Sequence, residues 1–144
     1  MEDTTSKVKV SWIEIGILVD TLALKILKSN HNFKSIYGIP RGGLIPAVML
    51  SHRTGIPLSM GSIYEDTLIV DDICDSGVTF VEMYGKYQTE LAFPLNLKFA
   101  SLHYRKHACS FTPTFHGYII PNDDWIVYPW ENPNSDTLQD YLKK

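Results

Sequence analysis

Hydrophobic and polar positions along the chain predict helices that alternate with strands. From Ile15 to Ile26 the apolar residues recur at intervals of three and four, the spacing of an amphipathic helix. Ser11 is the predicted N-cap of this helix, with Glu14 completing a capping box, and the helix is expected to end near Ser29. The pattern therefore predicts a first helix that buries one face.

Short apolar runs between polar segments predict strands. The run at 35–39 ends in a Pro-Arg-Gly-Gly turn, and the run at 67–70 is apolar and rich in β-branched residues, as in a strand buried on both faces of a parallel sheet. The remaining predicted elements are strands at 97–104 and 117–120 and helices at 44–53, from about 78, and at 135–142. This alternation indicates an α/β fold with a mostly parallel central sheet flanked by helices, whose ligands bind at the carboxyl ends of the strands.

Length, charge and cysteine content limit the class of protein. A chain of 144 residues fits a single domain, 1–144, and a net charge of −3 argues against a nucleic-acid-binding surface. The two cysteines form no disulfide framework, which favours a reducing compartment. The N-terminus is acidic and polar, and charges interrupt the apolar stretch at 12–27, so neither a signal peptide nor a membrane span is expected. We predict a cytoplasmic protein that binds neither membrane nor nucleic acid.

The strand at 67–70 leads into a concentration of acidic and hydroxyl side chains. Asp71 and Asp72 follow it directly, and the turn at 75–79 then opens a helix. Backbone N–H groups at a helix N-terminus, together with the hydroxyls of Ser76 and Thr79, suit a phosphate. Carboxylates beside a phosphate are understandable if they face ribose hydroxyls and a hydrated Mg²⁺.

This segment, Asp-Asp-Ile-Cys-Asp-Ser-Gly-Val-Thr, resembles the phosphoribosyl pyrophosphate (PRPP) signature of type I phosphoribosyltransferases. The resemblance implies that Asp71 and Asp72 hold Mg²⁺, through water, and that Asp75 is the general base. The implied 5′-phosphate-binding residues are Asp75, Ser76, Gly77, Val78 and Thr79. An acidic strand end before a capped helix also occurs in receiver-type signalling domains, which remain an alternative.

The turn after the first predicted strand supports the same family. Its residues Pro40, Arg41 and Gly42 resemble the pyrophosphate loop of the purine-salvage branch. Arg41 supplies a permanent cation, and the glycines expose backbone donors. Arg41 is therefore expected to stabilise the leaving pyrophosphate.

The C-terminal part resembles the base-binding segment of xanthine, guanine and hypoxanthine phosphoribosyltransferases. The resemblance implies that Trp125 stacks on the purine and that Ile126 bonds its edge through the backbone, with Ile73 also in contact. Arg105, or Lys106 beside it, corresponds to the basic residue, usually lysine, that donates to the exocyclic oxygen of a 6-oxopurine.

Two histidines stand in the same basic segment, His103 and His107. The cluster that they form with the neighbouring arginine and lysine permits a metal-binding or a nucleic-acid-binding interpretation. A solvated basic strand end is an equally good interpretation.

The resemblance implies a type I phosphoribosyltransferase fold with a small C-terminal hood, and transfer of 5-phosphoribosyl from PRPP to xanthine, guanine or hypoxanthine. It also implies a homodimer or homotetramer. One difference stands out: the long catalytic loop of the family is truncated here to residues 59–66. A catalytically weak PRPP- or nucleotide-binding regulatory module of the same fold is therefore the alternative.

Overall fold

A computed structural model describes residues 6–89 and 97–132. In chain order the elements are β1 (Lys7–Lys9), α1 (Trp12–Lys28), β2 (Ser35–Gly38), α2 (Leu44–Thr54), β3 (Leu58–Ser59), β4 (Thr67–Cys74), α3 (Val78–Thr89), β5 (Lys98–Tyr104), β6 (Phe115–Ile119) and β7 (Trp125–Val127). None of the helices within these residues has both the length and the apolar character needed to cross a membrane.

The central sheet has five parallel strands in the order β3-β2-β4-β5-β6. The predicted α/β class with a mostly parallel sheet is thus confirmed. The chain runs from β2 outward to β3 and then returns to place β4 on the other side of β2. The carboxyl ends of β2 and β4 therefore flank a topological switch point, where α/β sheets bind ligands. A separate two-stranded parallel sheet pairs β1 with β7, and we call this sheet and the residues that flank β7, from 122 to 131, the hood.

Apolar side chains fill both faces of the central sheet. On one face α1 and α2 bury residues such as Ile15, Leu22 and Leu50, each fully shielded from solvent. On the other, α3 places Phe80 against Phe99 of β5, with ring centroids 4.8 Å apart. This packing on both faces explains why β4 and β5 read as nearly continuous apolar runs.

The first helix follows the predicted pattern closely. The Ser11 hydroxyl accepts a hydrogen bond from the backbone N–H of Glu14 at 3.1 Å and donates to the Glu14 carboxylate. The helix ends at Lys28, with Ser29 as its C-cap. The second helix is followed by Gly55 in a left-handed conformation, which glycine adopts without a steric penalty.

Some strands differ from the sequence-based expectation, and one predicted helix is not tested. β4 continues four residues beyond the predicted strand, so Asp71 and Asp72 lie within it, because its pairing with β5 persists although the apolar run has ended. β1 and β3, of three and two residues, were not predicted, since so few residues carry no recognisable period. The helix predicted at 135–142 lies outside the described residues.

Candidate active site

The turn after β2 is folded directly onto β4. The backbone N–H of Ile39 donates to the Val70 carbonyl at 2.9 Å, and that of Gly43 donates to the Ile39 carbonyl at 2.8 Å. A side chain at Gly43 would collide with both carbonyls, because a Cβ there would lie 2.5 Å from Val70 O and 2.6 Å from Ile39 O. This close approach requires glycine at position 43. It places the Arg-Gly-Gly turn beside β4, the acidic strand that carries Asp71 and Asp72.

Gly42 brings this turn against the Asp72 carboxylate. A Cβ at Gly42 would lie 2.7 Å from Asp72 Cγ and closer still to Oδ2. The two motifs, some thirty positions apart in the sequence, therefore meet at the switch point between β2 and β4. Asp72 is held locally as well, since its Oδ1 accepts the backbone N–H of Ile73 at 2.8 Å.

The turn at 75–79, which we call the phosphate-type turn, forms a pocket at the end of β4. Its lining consists of Asp71, Ile73, Cys74, Asp75, Ser76, Gly77, Val78, Thr79 and Phe80. Gly77 has a φ of 85°, and a Cβ there would lie 2.9 Å from both Cys109 Sγ and Phe111 Cβ. Ser110 donates to the Ser76 carbonyl from its backbone N–H and its hydroxyl, at 3.0 and 3.1 Å. The segment at 109–111 thus packs against the turn at Ser76 and Gly77 and holds it in place.

The two cysteines lie together beneath this turn. Cys74 Sγ and Cys109 Sγ are 2.9 Å apart as free thiols, and Cys109 also donates to the Phe111 carbonyl at 2.9 Å. Burial, followed by the neighbouring thiol and carboxylates, raises the pKa of Cys74 far above its usual value. Cys74 therefore stays a protonated thiol and packs as a small apolar side chain.

Arg105 connects the phosphate-type turn with the hood. The side chain is almost fully buried, and its Nε donates to Asp75 Oδ1 at 2.7 Å. Its Nη1 and Nη2 donate to the carbonyls of Asn122 and Asp124, at 2.5 and 2.8 Å. Arg105 thus lies beside the predicted general base with three donors bonded to protein acceptors, whereas Lys106 is exposed. That either residue reads the purine oxygen stays a prediction.

The hood strand carries Trp125 and Ile126 on alternate faces. They pair in register with Lys7 and Val8 of β1. The Ile126 side chain lines a cavity of about 400 Å³ together with Val8 and His103. The Nε1 of Trp125 is buried, and within residues 6–89 and 97–132 it has no hydrogen-bond partner. That Trp125 stacks on the purine and that Ile126 bonds its edge through the backbone stays a prediction.

The histidines of the basic segment point to different partners. His103 is buried, and its Nδ1 lies 2.7 Å from the Tyr128 hydroxyl. His107, which is exposed, lies 2.8 Å from the carboxylate of Asp123. Throughout the described ranges no three His, Cys, Asp or Glu side chains form a metal-binding group. The metal-binding interpretation of this segment therefore has no support in the geometry.

Several residues of the site were missed at the sequence level. Tyr128 donates to the Asp72 carbonyl at 3.1 Å, and the Asn122 and Asp124 carbonyls receive Arg105. These contacts join segments 17 to 56 residues apart. A lone tyrosine and backbone carbonyls carry no sequence signal of such pairing.

Comparison with known proteins adds independent information. No family model matches the chain. A curated relative, the xanthine-guanine phosphoribosyltransferase of Gluconobacter oxydans, is 28% identical over 85% of this chain and 83% of its own length. The crystal structure of a purine phosphoribosyltransferase from Pyrococcus horikoshii superposes with a TM-score of 0.73 at 29% identity, covering 89% of this chain and 96% of the other.

The chain has the type I phosphoribosyltransferase fold. A receiver-type domain is therefore excluded as its architecture. A further structural neighbour, a hypothetical protein of Neisseria gonorrhoeae with bound ppGpp, has a TM-score of 0.72 at 23% identity and covers 92% of this chain and 93% of its own. At that identity the likeness concerns the fold alone. Within this fold, the Arg-Gly-Gly turn, the acidic end of β4 and the hood lie together at the carboxyl ends of the central strands.

Proposed function

We propose that the chain is a purine phosphoribosyltransferase that transfers 5-phosphoribosyl from PRPP to a 6-oxopurine, namely xanthine, guanine or hypoxanthine. The observation that carries this proposal is the contact of Gly42 with Asp72 at the switch point, which joins the cation-bearing turn to the acidic pair. The names of the relatives, which are purine and xanthine-guanine phosphoribosyltransferases, support the same reaction class. They do not favour the regulatory-module alternative.

In the proposed reaction the purine nitrogen forms a bond to C1 of the ribose, and pyrophosphate leaves with the electron pair of the broken C–O bond. The turn at 75–79 binds the 5′-phosphate with its backbone N–H groups. Pro40, Arg41 and Gly42 bind the departing pyrophosphate, whose growing negative charge Arg41 stabilises. Asp75 accepts the proton that the purine loses, and Trp125 stacks on the ring.

The acidic pair is suited to a magnesium ion. Asp71 and Asp72 provide two half-buried carboxylates, and no third His, Cys, Asp or Glu of the described residues joins them in a metal-binding group. Such a site fits Mg²⁺, which usually keeps several waters and shares phosphate oxygens with its substrate. Asp71 and Asp72 would hold the ion through water, and the bound ion supplies neutralising charge for the pyrophosphate.

The outer face of α1 supports the proposed homo-oligomer. Ile13, Ile17 and Leu24 are 79%, 60% and 54% exposed on a helix whose opposite face is already buried in the core. A contiguous exposed apolar patch commonly marks a protein–protein contact. The acidic first turn with Glu14 and the basic last turn with Lys28 favour antiparallel packing against α1 of a second copy. Light scattering of the protein and of an Ile17→Lys/Leu24→Lys variant tests this surface. If the variant has the same molecular mass in solution as the unsubstituted protein, this face of α1 is excluded as the interface.

The cytoplasmic location of the protein stays a prediction.

The reaction is tested by incubating the protein with PRPP and Mg²⁺ in the presence of xanthine, guanine, hypoxanthine or adenine. Nucleotide formation from an oxopurine would confirm the proposal and show that the short segment at 59–66 suffices. Pyrophosphate release without nucleotide would mean that water replaces the base. Stabilisation by PRPP without any turnover would favour the regulatory module instead.

Substitution of Gly42 by alanine is expected to impair PRPP use without unfolding the protein. The new methyl group meets the carboxylate of the Asp72 side chain rather than backbone, so the carboxylate must shift and is then misplaced for the metal and the ribose. Displacement of a catalytic group by about 1 Å can cost up to about a hundredfold in rate. We expect kcat/KM for PRPP to fall at least about tenfold.

Gly16→Ala is the matched control for this substitution. Gly16 lies in α1, and a Cβ there meets nothing within 4 Å. This variant should keep full activity and gain roughly 0.5–1 kcal/mol in unfolding free energy, because alanine is the better helix former. Wild-type kinetics in Gly42→Ala would show that the contact with Asp72 has no role.

A further inference from the structure

A buried polar connection joins the hood segment to the acidic strand. The Tyr128 hydroxyl lies 3.1 Å from the carbonyl oxygen of Asp72 and 2.7 Å from Nδ1 of His103. Tyr128 and His103 are only 3% and 5% exposed. Neither residue is among those predicted to contact PRPP or the base, although Tyr128 lies in the predicted base-binding segment and His103 in the basic segment. Burying the hydroxyl of Tyr128 and the imidazole of His103 costs free energy, which their mutual hydrogen bond offsets.

The protons in this connection can be assigned from the acceptors. The Asp72 carbonyl can only accept, so the single proton of the Tyr128 hydroxyl is donated to it. The hydroxyl must then accept from His103, which places a proton on Nδ1. Burial lowers the pKa of His103 to about 4, so that its ring is neutral near pH 7.

The accepting carbonyl belongs to a peptide group that also holds the Asp72 side chain. The carbonyl oxygen of Asp72 and the N–H of Ile73 are the two polar ends of one planar peptide unit. That N–H donates to Asp72 Oδ1 at 2.8 Å, while the carbonyl receives Tyr128. The orientation of this single peptide unit therefore links the hydroxyl of Tyr128 to the carboxylate of Asp72.

The other end of Tyr128 is fixed by the hood. Its ring is stacked on Trp130, with centroids 4.7 Å apart and planes 5° from parallel. Its backbone N–H donates to the Glu131 carboxylate at 2.7 Å. Tyr128 also follows β7 directly, three residues after Trp125. The hydroxyl therefore has a defined position relative to the base-binding strand.

We propose that Tyr128, oriented by His103, is a positioning residue that fixes the Asp72 carboxylate through the Asp72–Ile73 peptide unit and so couples the base-binding strand to the PRPP site. The inference rests on the proposed function. Because the side chain of Tyr128 is buried and its hydroxyl bonds to the Asp72 carbonyl, its effect is exerted on Asp72. Loss of the hydroxyl should therefore change the requirement for Mg²⁺ and PRPP more than the KM for the purine.

The direct test compares Tyr128→Phe with Tyr118→Phe. Tyr118 also packs against His103, with ring centroids 6.2 Å apart, but it is 53% exposed. For Tyr128→Phe we expect kcat to fall about tenfold and the Mg²⁺ concentration for half-maximal rate to rise, since one buried hydrogen bond to the site is lost. The purine KM should stay within about twofold, and Tyr118→Phe should match the wild type in all constants.

A pair of His103 variants separates positioning from simple structural support. Asparagine offers an amide N–H near the place of Nδ1, whereas leucine offers no donor. His103→Asn should therefore retain the wild-type Mg²⁺ requirement, and His103→Leu should resemble Tyr128→Phe. This pair carries the test if Tyr128→Phe does not fold. The proposal is overturned if the variants lower only thermal stability and leave the Mg²⁺ and PRPP constants unchanged.

Calorimetry of Mg²⁺-dependent PRPP binding distinguishes failure of this inference from failure of the proposed function. A wild-type protein without turnover would refute the function. The positioning role would still be judged by binding: weaker PRPP binding by Tyr128→Phe than by Tyr118→Phe supports it, and equal binding contradicts it.

Discussion

Replacement of Arg105 by methionine is expected to lower the free energy of unfolding by about 3 kcal/mol, because removal of one partner leaves a buried network unpaired. The guanidinium donates to Asp75 and to the carbonyls of Asn122 and Asp124, and its side chain is only 6% exposed. Methionine fills similar volume but leaves all three acceptors without this donor. Urea denaturation followed by tryptophan fluorescence measures the change.

Arg53→Met provides the matched control. Arg53 also donates through Nε to a carboxylate, that of Asp20, at 2.6 Å, but the two side chains are 39% and 65% exposed. An exposed pair of this kind contributes less than about 1 kcal/mol. Equal destabilisation by the two substitutions would mean that the buried contacts of Arg105 add nothing beyond a surface ion pair.

Substitution of Asp75 by asparagine is expected to lower kcat by a factor of about 10² to 10⁴, the usual contribution of a general base. The asparagine carbonyl oxygen can still accept the Nε–H of Arg105, so the connection to the hood and most of the stability should survive. Loss of activity with retained stability would therefore report the loss of the proton-accepting carboxylate. Single-turnover measurements at saturating PRPP, together with a thermal melt, distinguish the two quantities.

Asp20→Asn is the control for this charge change. Asp20 lies exposed on α1, pairs with Arg53 of α2, and is not among the residues that line the pocket at the turn 75–79. Its substitution removes one negative charge from the protein and should leave kcat unchanged. Full activity in Asp75→Asn would remove Asp75 from the role of general base.

The local patterns predicted the main elements of the fold well. The period of the apolar residues from Ile15 to Ile26 and the Ser11 cap defined α1, because local hydrogen bonds and one buried face decide a helix. The apolar run at 67–70 identified β4, but its end was misplaced. Asp71 and Asp72 look like the end of a strand, yet their backbone continues to pair because β5 lies alongside.

The sequence by itself determined the reaction class to be proposed, through its resemblance to the phosphoribosyltransferase family. The motifs that carry this resemblance, Asp71 to Thr79 and the Arg-Gly-Gly turn, are local and can be recognised without a structure. Only the tertiary structure decided that Gly42 meets Asp72, that Arg105 joins Asp75 to the hood, and that Tyr128 reaches the Asp72 carbonyl. Those contacts depend on strand order and on backbone carbonyls, and both arise from long-range packing that no local period records.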